Sequence, residues 1–230
     1  MKSKQSFKNA LHLLNFVCIL AIMVSIVSCE KSKDDNNLLV GILAIVLNQQ
    51  QPVSNTSCSG TGSCKMFVSV ANAVLNAGIS GLDNQCASDT NKPSGGGTYK
   101  AMVADGTNRI ACTTANCATG GTSEHTDWVL KPNKEYRRAD GTTVVGTTTA
   151  NGVFSFPLTS VVQTTVVGTN STVTGISSSP AWTSSASDCS NFANTGANTS
   201  NGLHDDATVN LLSIGTSGCG NAMKIICVEQ

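Results

Sequence analysis

Ten cysteines in a chain of 230 residues restrict this protein more than any other feature, because their number and placement dictate how a core can be held. Cys18 lies inside an apolar run near the start and Cys29 at its end. The other eight are Cys58, Cys64, Cys86, Cys112, Cys117, Cys189, Cys219 and Cys227, an even set that suits four disulfides in an oxidising compartment. A zinc site would call for thiolate pairs spaced C-x-x-C, and no such pair occurs. Spacing alone does not decide the pairing. Cross-links also suit the composition: aromatic residues make up 4% of the chain and charged residues 12%. Thr, Ser, Asn and Gly crowd the stretch from Thr142 to Gly220. With so few large side chains, a modest core needs staples.

The N-terminus reads as an export signal. Lys2, Lys4 and Lys8 precede a nearly continuous apolar run, Leu11 to Val27, and the sequence Ile26-Val27-Ser28-Cys29 resembles a bacterial lipobox. Residues 1–28 are therefore expected to be a lipoprotein signal peptide, with Cys29 as the lipid acceptor. The rival readings are a transmembrane anchor and a plain signal peptide followed by a chance cysteine. Residues 29–57 read as a lipidated tether. Its middle, Leu38 to Leu47, is apolar but too short to cross a bilayer. Acyl chains on Cys29 would hold the protein at a membrane, and the expected location is the bacterial outer membrane. Once Lys2, Lys4 and Lys8 leave with the signal, 11 basic face 14 acidic side chains, a net charge of −3. That balance argues against a nucleic-acid partner.

Residues 58–230 are expected to form one α+β domain. Alternation predicts strands at Lys65 to Val70 and Thr98 to Ala104, with shorter candidates at Trp128 to Leu130, Thr143 to Val145, Phe154 to Phe156 and Lys224 to Val228. Gly81 to Thr90 reads as a helix, with Leu82 and Cys86 one turn apart. Long Ser/Thr/Asn/Gly loops join these pieces.

Catalytic patterns are missing. Neither H-E-x-x-H nor G-x-S-x-G occurs. Glu124-His125 with Asp127, and His204-Asp205-Asp206, have the residue types of metal ligands or an acid/base pair, but they read better as solvated loop residues. Lys131-Pro132-Asn133 lacks the carboxylate that a calcium ion would want. No enzyme activity, metal or cofactor is expected. The densest basic stretch, Lys131, Lys134, Arg137 and Arg138, suits an acidic patch on a partner or a sulfated glycan, and equally a solubilising loop between strands.

Several segments together resemble a known family. They are Gly81-Leu82-Asp83-Asn84-Gln85-Cys86, Gly97-Thr98-Tyr99-Lys100-Ala101-Met102-Val103, Arg109-Ile110-Ala111-Cys112, Asp127-Trp128-Val129-Leu130-Lys131-Pro132-Asn133 and Pro180-Ala181-Trp182-Thr183. The terminal Cys227-Val228-Glu229-Gln230 completes the set. The chain thus resembles, over roughly Lys65 to Gln230, a domain found in many Leptospira lipoproteins, some called leptospiral endostatin-like proteins. The helix ending in Gln-Cys and the terminal Cys-Val-Glu are similar to the endostatin domain of collagens.

The resemblance implies a C-type-lectin-like, endostatin-like domain with a small antiparallel sheet, one or two helices and long loops. It also implies a nested disulfide pair, Cys86 with Cys227 and Cys189 with Cys219. Cys112–Cys117 and Cys58–Cys64 would then be local bridges. Endostatin's zinc-binding histidines have no counterpart here. The resemblance further implies a surface lipoprotein that binds host proteins: extracellular-matrix proteins, complement regulators such as factor H, or plasminogen. Lys131, Lys134, Arg137 and Arg138 would serve as contacts, with Trp182 and Phe192 as aromatic anchors. The alternative is a structural envelope lipoprotein facing the periplasm without a host ligand.

Overall fold

The computed structural model describes residues 58, 60–165 and 167–230. The expected signal peptide, Cys29 and the apolar run Leu38 to Leu47 lie outside them. Ten strands occur among these residues: β1 (Cys64–Val68), β2 (Tyr99–Ala101), β3 (Glu135–Arg138), β4 (Val144–Thr147), β5 (Ser171–Val173), β6 (Ile176–Ser178), β7 (Ala181–Ser184), β8 (Asn198–Leu203), β9 (Gly215–Gly218) and β10 (Ile226–Glu229). Helix α1 (Gly78–Ser88) follows β1, and a four-residue turn, α2 (Cys189–Phe192), precedes β8.

β1 alternates as expected, and its two sets of side chains enter two cores. Met66 and Val68 pack with Tyr136, Val145, Ile226 and Val228. Phe67 points the other way, to Tyr99, Ala101 and Cys227. A strand buried on both faces belongs inside a sheet, and β1 sits third in the order β2-β10-β1-β3-β4. The sheet is mixed rather than antiparallel, because β1 and β3 run parallel while the other neighbours are antiparallel. The chain between β1 and β3 carries α1 and β2, and a crossover of that length lets it return in the same direction. A three-stranded sheet, β5-β8-β9, and a β6-β7 hairpin complete the α+β fold.

α1 begins three residues earlier than its apolar spacing predicts, and Ile79, Leu82 and Cys86 form its buried stripe. Its Gln85 pins the preceding loop: Val74 N donates to Oε1 at 2.9 Å, and Nε2 donates to the Asn72 carbonyl at 3.1 Å. Two expected strands are absent. Trp128 to Leu130 is irregular chain with Val129 and Leu130 buried, and Phe154 makes only an isolated bridge to Thr148. Both are short apolar runs whose burial comes from aromatic packing, which alternation cannot distinguish from strand.

Four disulfides join Cys58–Cys64, Cys86–Cys227, Cys112–Cys117 and Cys189–Cys219. These are the pairs that the endostatin resemblance implies. Cys86–Cys227 ties α1 to β10 across 141 positions of sequence. Cys189–Cys219 anchors an unusual turn. All four residues of α2 have positive φ: 59° at Cys189, 53° at Ser190, 60° at Asn191 and 57° at Phe192. A left-handed turn of non-glycine residues costs roughly 1–2 kcal/mol per residue. The disulfide at one end and the buried Phe192 ring at the other hold it. Ser190→Gly should therefore raise stability by about 0.5–1 kcal/mol, the relieved strain exceeding glycine's extra chain entropy. Urea unfolding measures this, and a lower midpoint would count against the strain.

Candidate functional site

Arg137 and Arg138 of the basic stretch lie on β3, in a sheet strand rather than a loop between strands, whereas Lys131 and Lys134 lie in the segment that leads into it. Tyr136 enters the core from β3, and its hydroxyl accepts from Lys131 N at 2.8 Å. Arg137 projects to the opposite face, where its Nε meets Glu135 Oε1 at 2.7 Å and its Nη1 donates to the Gly141 carbonyl at 3.1 Å. Arg138 turns away and donates from Nε to the Val161 carbonyl at 2.9 Å. Strand alternation thus splits the cluster.

Lys134, Glu135 and Arg137 line an open cleft of about 780 Å³ whose far wall is the segment 60–63. Lys134 Nζ reaches across to the Gly60 carbonyl. The Cys58–Cys64 disulfide closes the loop that forms this wall, so the cleft is framed by a cross-link on one side and sheet on the other. Lys131 and Arg138 are not part of its lining. Two cations partly balanced by Glu135, in an open polar cleft, suit an anionic or mixed polar surface better than an apolar ligand.

Trp182 is not an anchor for a partner. It is fully buried, stacks on Phe156 at 5.9 Å, meets Trp128 edge-on at 6.0 Å and donates from Nε1 to the Phe154 carbonyl at 3.0 Å. Phe192 is buried as well. In a chain with few aromatics, the core claims them first.

The histidine and carboxylate clusters also come apart. Glu124 accepts from the backbone of Thr113, Thr114 and Gly120, at 2.8, 2.6 and 2.7 Å. Desolvation opposes its ionisation, but the hydrogen bonds from Thr114, Gly120 and Thr113 together outweigh it and hold the carboxyl far below its ordinary range. His125 places its ring nitrogens against the carbonyls of Ala111 and Asn151. Asp127 instead joins Lys100 and Arg109. His204 is a correction to the expectation of a solvated loop residue: it is 1% exposed. Burial holds its imidazole below the ordinary value, nearby Lys224 adding to that effect and Asp205 opposing it. The structure does not bring His125 and His204 together: His125 packs beside Trp128, and His204 lines a cavity with Lys224.

Sequence reasoning missed the most elaborate polar cluster. Arg109 is fully buried and spends its whole guanidinium on Asp83, Asp127 and the Ala101 carbonyl. Asp83 also accepts from Ala101 N at 2.9 Å, so both outward backbone groups of Ala101, on edge strand β2, are satisfied by side chains. Asp83 lies off the buried stripe of α1. Only its position opposite Arg109 reveals the role, which is to lock α1 to the sheet edge.

Among the described residues, no group of three or more His, Cys, Asp or Glu is placed to hold a metal ion, and no helix is long and apolar enough to cross a membrane. A family model described as Protein of unknown function (DUF1554) matches residues 52–210. The match stops before β9 and β10, although β10 is a central strand of the main sheet. No curated protein matches the chain.

Proposed function

The chain belongs to the family described as Protein of unknown function (DUF1554), and from that premise we propose that it is a lipid-anchored surface module that binds host proteins without catalysis. The ligands would be of the extracellular-matrix, complement-regulator or plasminogen type. The observation that carries this reading is the cleft beside β3, an open polar surface with Lys134 and Arg137 in a frame fixed by disulfide and sheet. A rigid surface loses little conformational entropy on binding. The nested pairs Cys86–Cys227 and Cys189–Cys219 further support an endostatin-like, C-type-lectin-like fold.

Solid-phase binding of the purified, oxidised protein to factor H, plasminogen, laminin and fibronectin tests the proposal, with reduced and alkylated protein as the control. Saturable binding lost on reduction is expected. Lys134→Glu with Arg137→Glu should weaken it about tenfold, corresponding to about 1.4 kcal/mol, and make the remainder less sensitive to salt. Absence of binding by folded protein would reject those four ligands and favour the periplasm-facing structural role.

A further inference from the structure

Away from the β3 cleft, Asn91, Gln163, His204 and Lys224 line a cavity of about 120 Å³, with Val70 and Val167 beside them. None of these residues belongs to the cleft lining. Two features of the cavity are costly for an empty pocket. Both ring nitrogens of His204 are buried with no hydrogen-bond partner among the described residues. Such groups are normally satisfied by protein or by something bound. Lys224 is 7% exposed, and its Nζ donates to the Val70 carbonyl. No carboxylate of the described residues forms an ion pair with it. A buried cation without a counter-charge is unfavourable.

The surroundings do not supply that counter-charge. Asp205 neighbours His204, but Asn170 Nδ2 holds it at 3.2 and 3.3 Å, and it does not line the cavity. Asn91 and Gln163 direct their amide N–H groups to the carbonyls of Val68 and Thr165, at 2.9 and 2.8 Å. Beyond these two amides, the site offers a cation and an imidazole N–H. Val70 and Val167 add apolar surface that is 49% and 65% exposed. A cationic ligand would be repelled by Lys224, and a purely apolar one would leave Lys224 and His204 unpaired.

We propose that this cavity binds a carboxylate carried on a short aliphatic group, the carboxylate accepting from Lys224 Nζ and a His204 ring N–H while the alkyl part packs on Val70 and Val167. The site is small, and it is distinct from the protein-binding cleft. A free short-chain acid and the C-terminus of a peptide ending in an aliphatic residue both present this chemistry.

Titration of the full chain with sodium butyrate, followed by the His204 imidazole resonances in NMR, tests it. Butyramide serves as the neutral isostere. A short peptide ending in valine, with a free or an amidated C-terminus, serves as the second source. The expected result is a saturable His204 shift with a dissociation constant on the order of 1 mM or tighter, and at least about tenfold weaker binding of the amide forms. Butyrate binding assigns a free acid, and binding of the free-ended peptide alone assigns a chain end. Lys224→Met, which removes the cation while keeping a long side chain, should abolish the shift in a protein that still melts cooperatively. If neither carboxylate gives a saturable shift, or the amides bind equally well, the cavity holds only solvent and the proposal fails.

Discussion

Replacing Cys86 and Cys227 together by alanine is expected to lower the free energy of unfolding by about 5 kcal/mol. The bridge joins residues 141 positions apart, and a cross-link of that span removes much conformational freedom from the unfolded chain. Cys112–Cys117 spans only 5 positions, and its removal should cost about 2 kcal/mol on the same basis. The long bridge also has a native-state role, since it fastens α1 to β10 within the core that holds Leu82 and Ile225. A domain with few large side chains has little else to offset such a loss, and ordinary domains are stable by only about 5–15 kcal/mol. Urea unfolding of the two double variants measures the contrast. A Cys86/Cys227 variant that loses no more than the Cys112/Cys117 variant would contradict the role assigned to the long closure.

Arg109→Ala is expected to cost about 3–5 kcal/mol, although it removes no part of the hydrophobic core. The guanidinium is fully buried and reaches three elements at once: Asp83 on α1, the Ala101 carbonyl on β2, and the Asp127 backbone and side chain. Truncation leaves Ala101 O with Val103 N, at 3.0 Å, as its remaining donor, and two carboxylates facing each other across a void. Asp83 and Asp127 are partly exposed, with side-chain accessibilities of 21% and 43%, so water relieves some of the penalty and the lower end of the range is the better figure. Arg109→Lys keeps the charge but not the forked donors, and should recover only part of the loss.

The same cluster gives a pH dependence with a definite sign. Partial burial disfavours ionised Asp127, but hydrogen bonds and charge from Lys100 and Arg109 outweigh it and lower its pKa. A carboxyl depressed in the folded state contributes stability above its unfolded value, about 3.9, and that contribution disappears as pH falls through the lower folded value. Stability of the native protein should therefore drop below about pH 4, and the drop should be shallower in Arg109→Ala. Equal slopes would remove Arg109 as the cause.

Much of the frame was legible in the sequence because its signals are local. The alternation of β1, the Leu82–Cys86 stripe of α1 and the even set of cysteines follow from short-range pattern and composition. The strands from β5 to β9 were not legible. Most of their residues are Ser, Thr, Asn and Gly, and several are buried by neighbouring backbone rather than by apolar side chains: a side chain at Gly202 would collide with the Leu211 carbonyl. β3 was hidden by its charges. Arg137 and Arg138 suggested a surface loop, while Tyr136, directly before them, carries the strand into the core.

Local pattern and composition define the class of solution: an α+β domain of modest core with cysteines enough for four cross-links, and neither H-E-x-x-H nor G-x-S-x-G. Which charges are structural and which are available follows from the folded chain alone. Arg109 and Trp182 are consumed inside the molecule, Lys134 and Arg137 share one cleft, and His204 and Lys224, 20 positions apart, line one cavity. Burial and hydrogen-bond satisfaction depend on which distant segments meet. A sequence pattern reports a residue's own neighbours, and the partner that sets its role is contributed by another part of the chain.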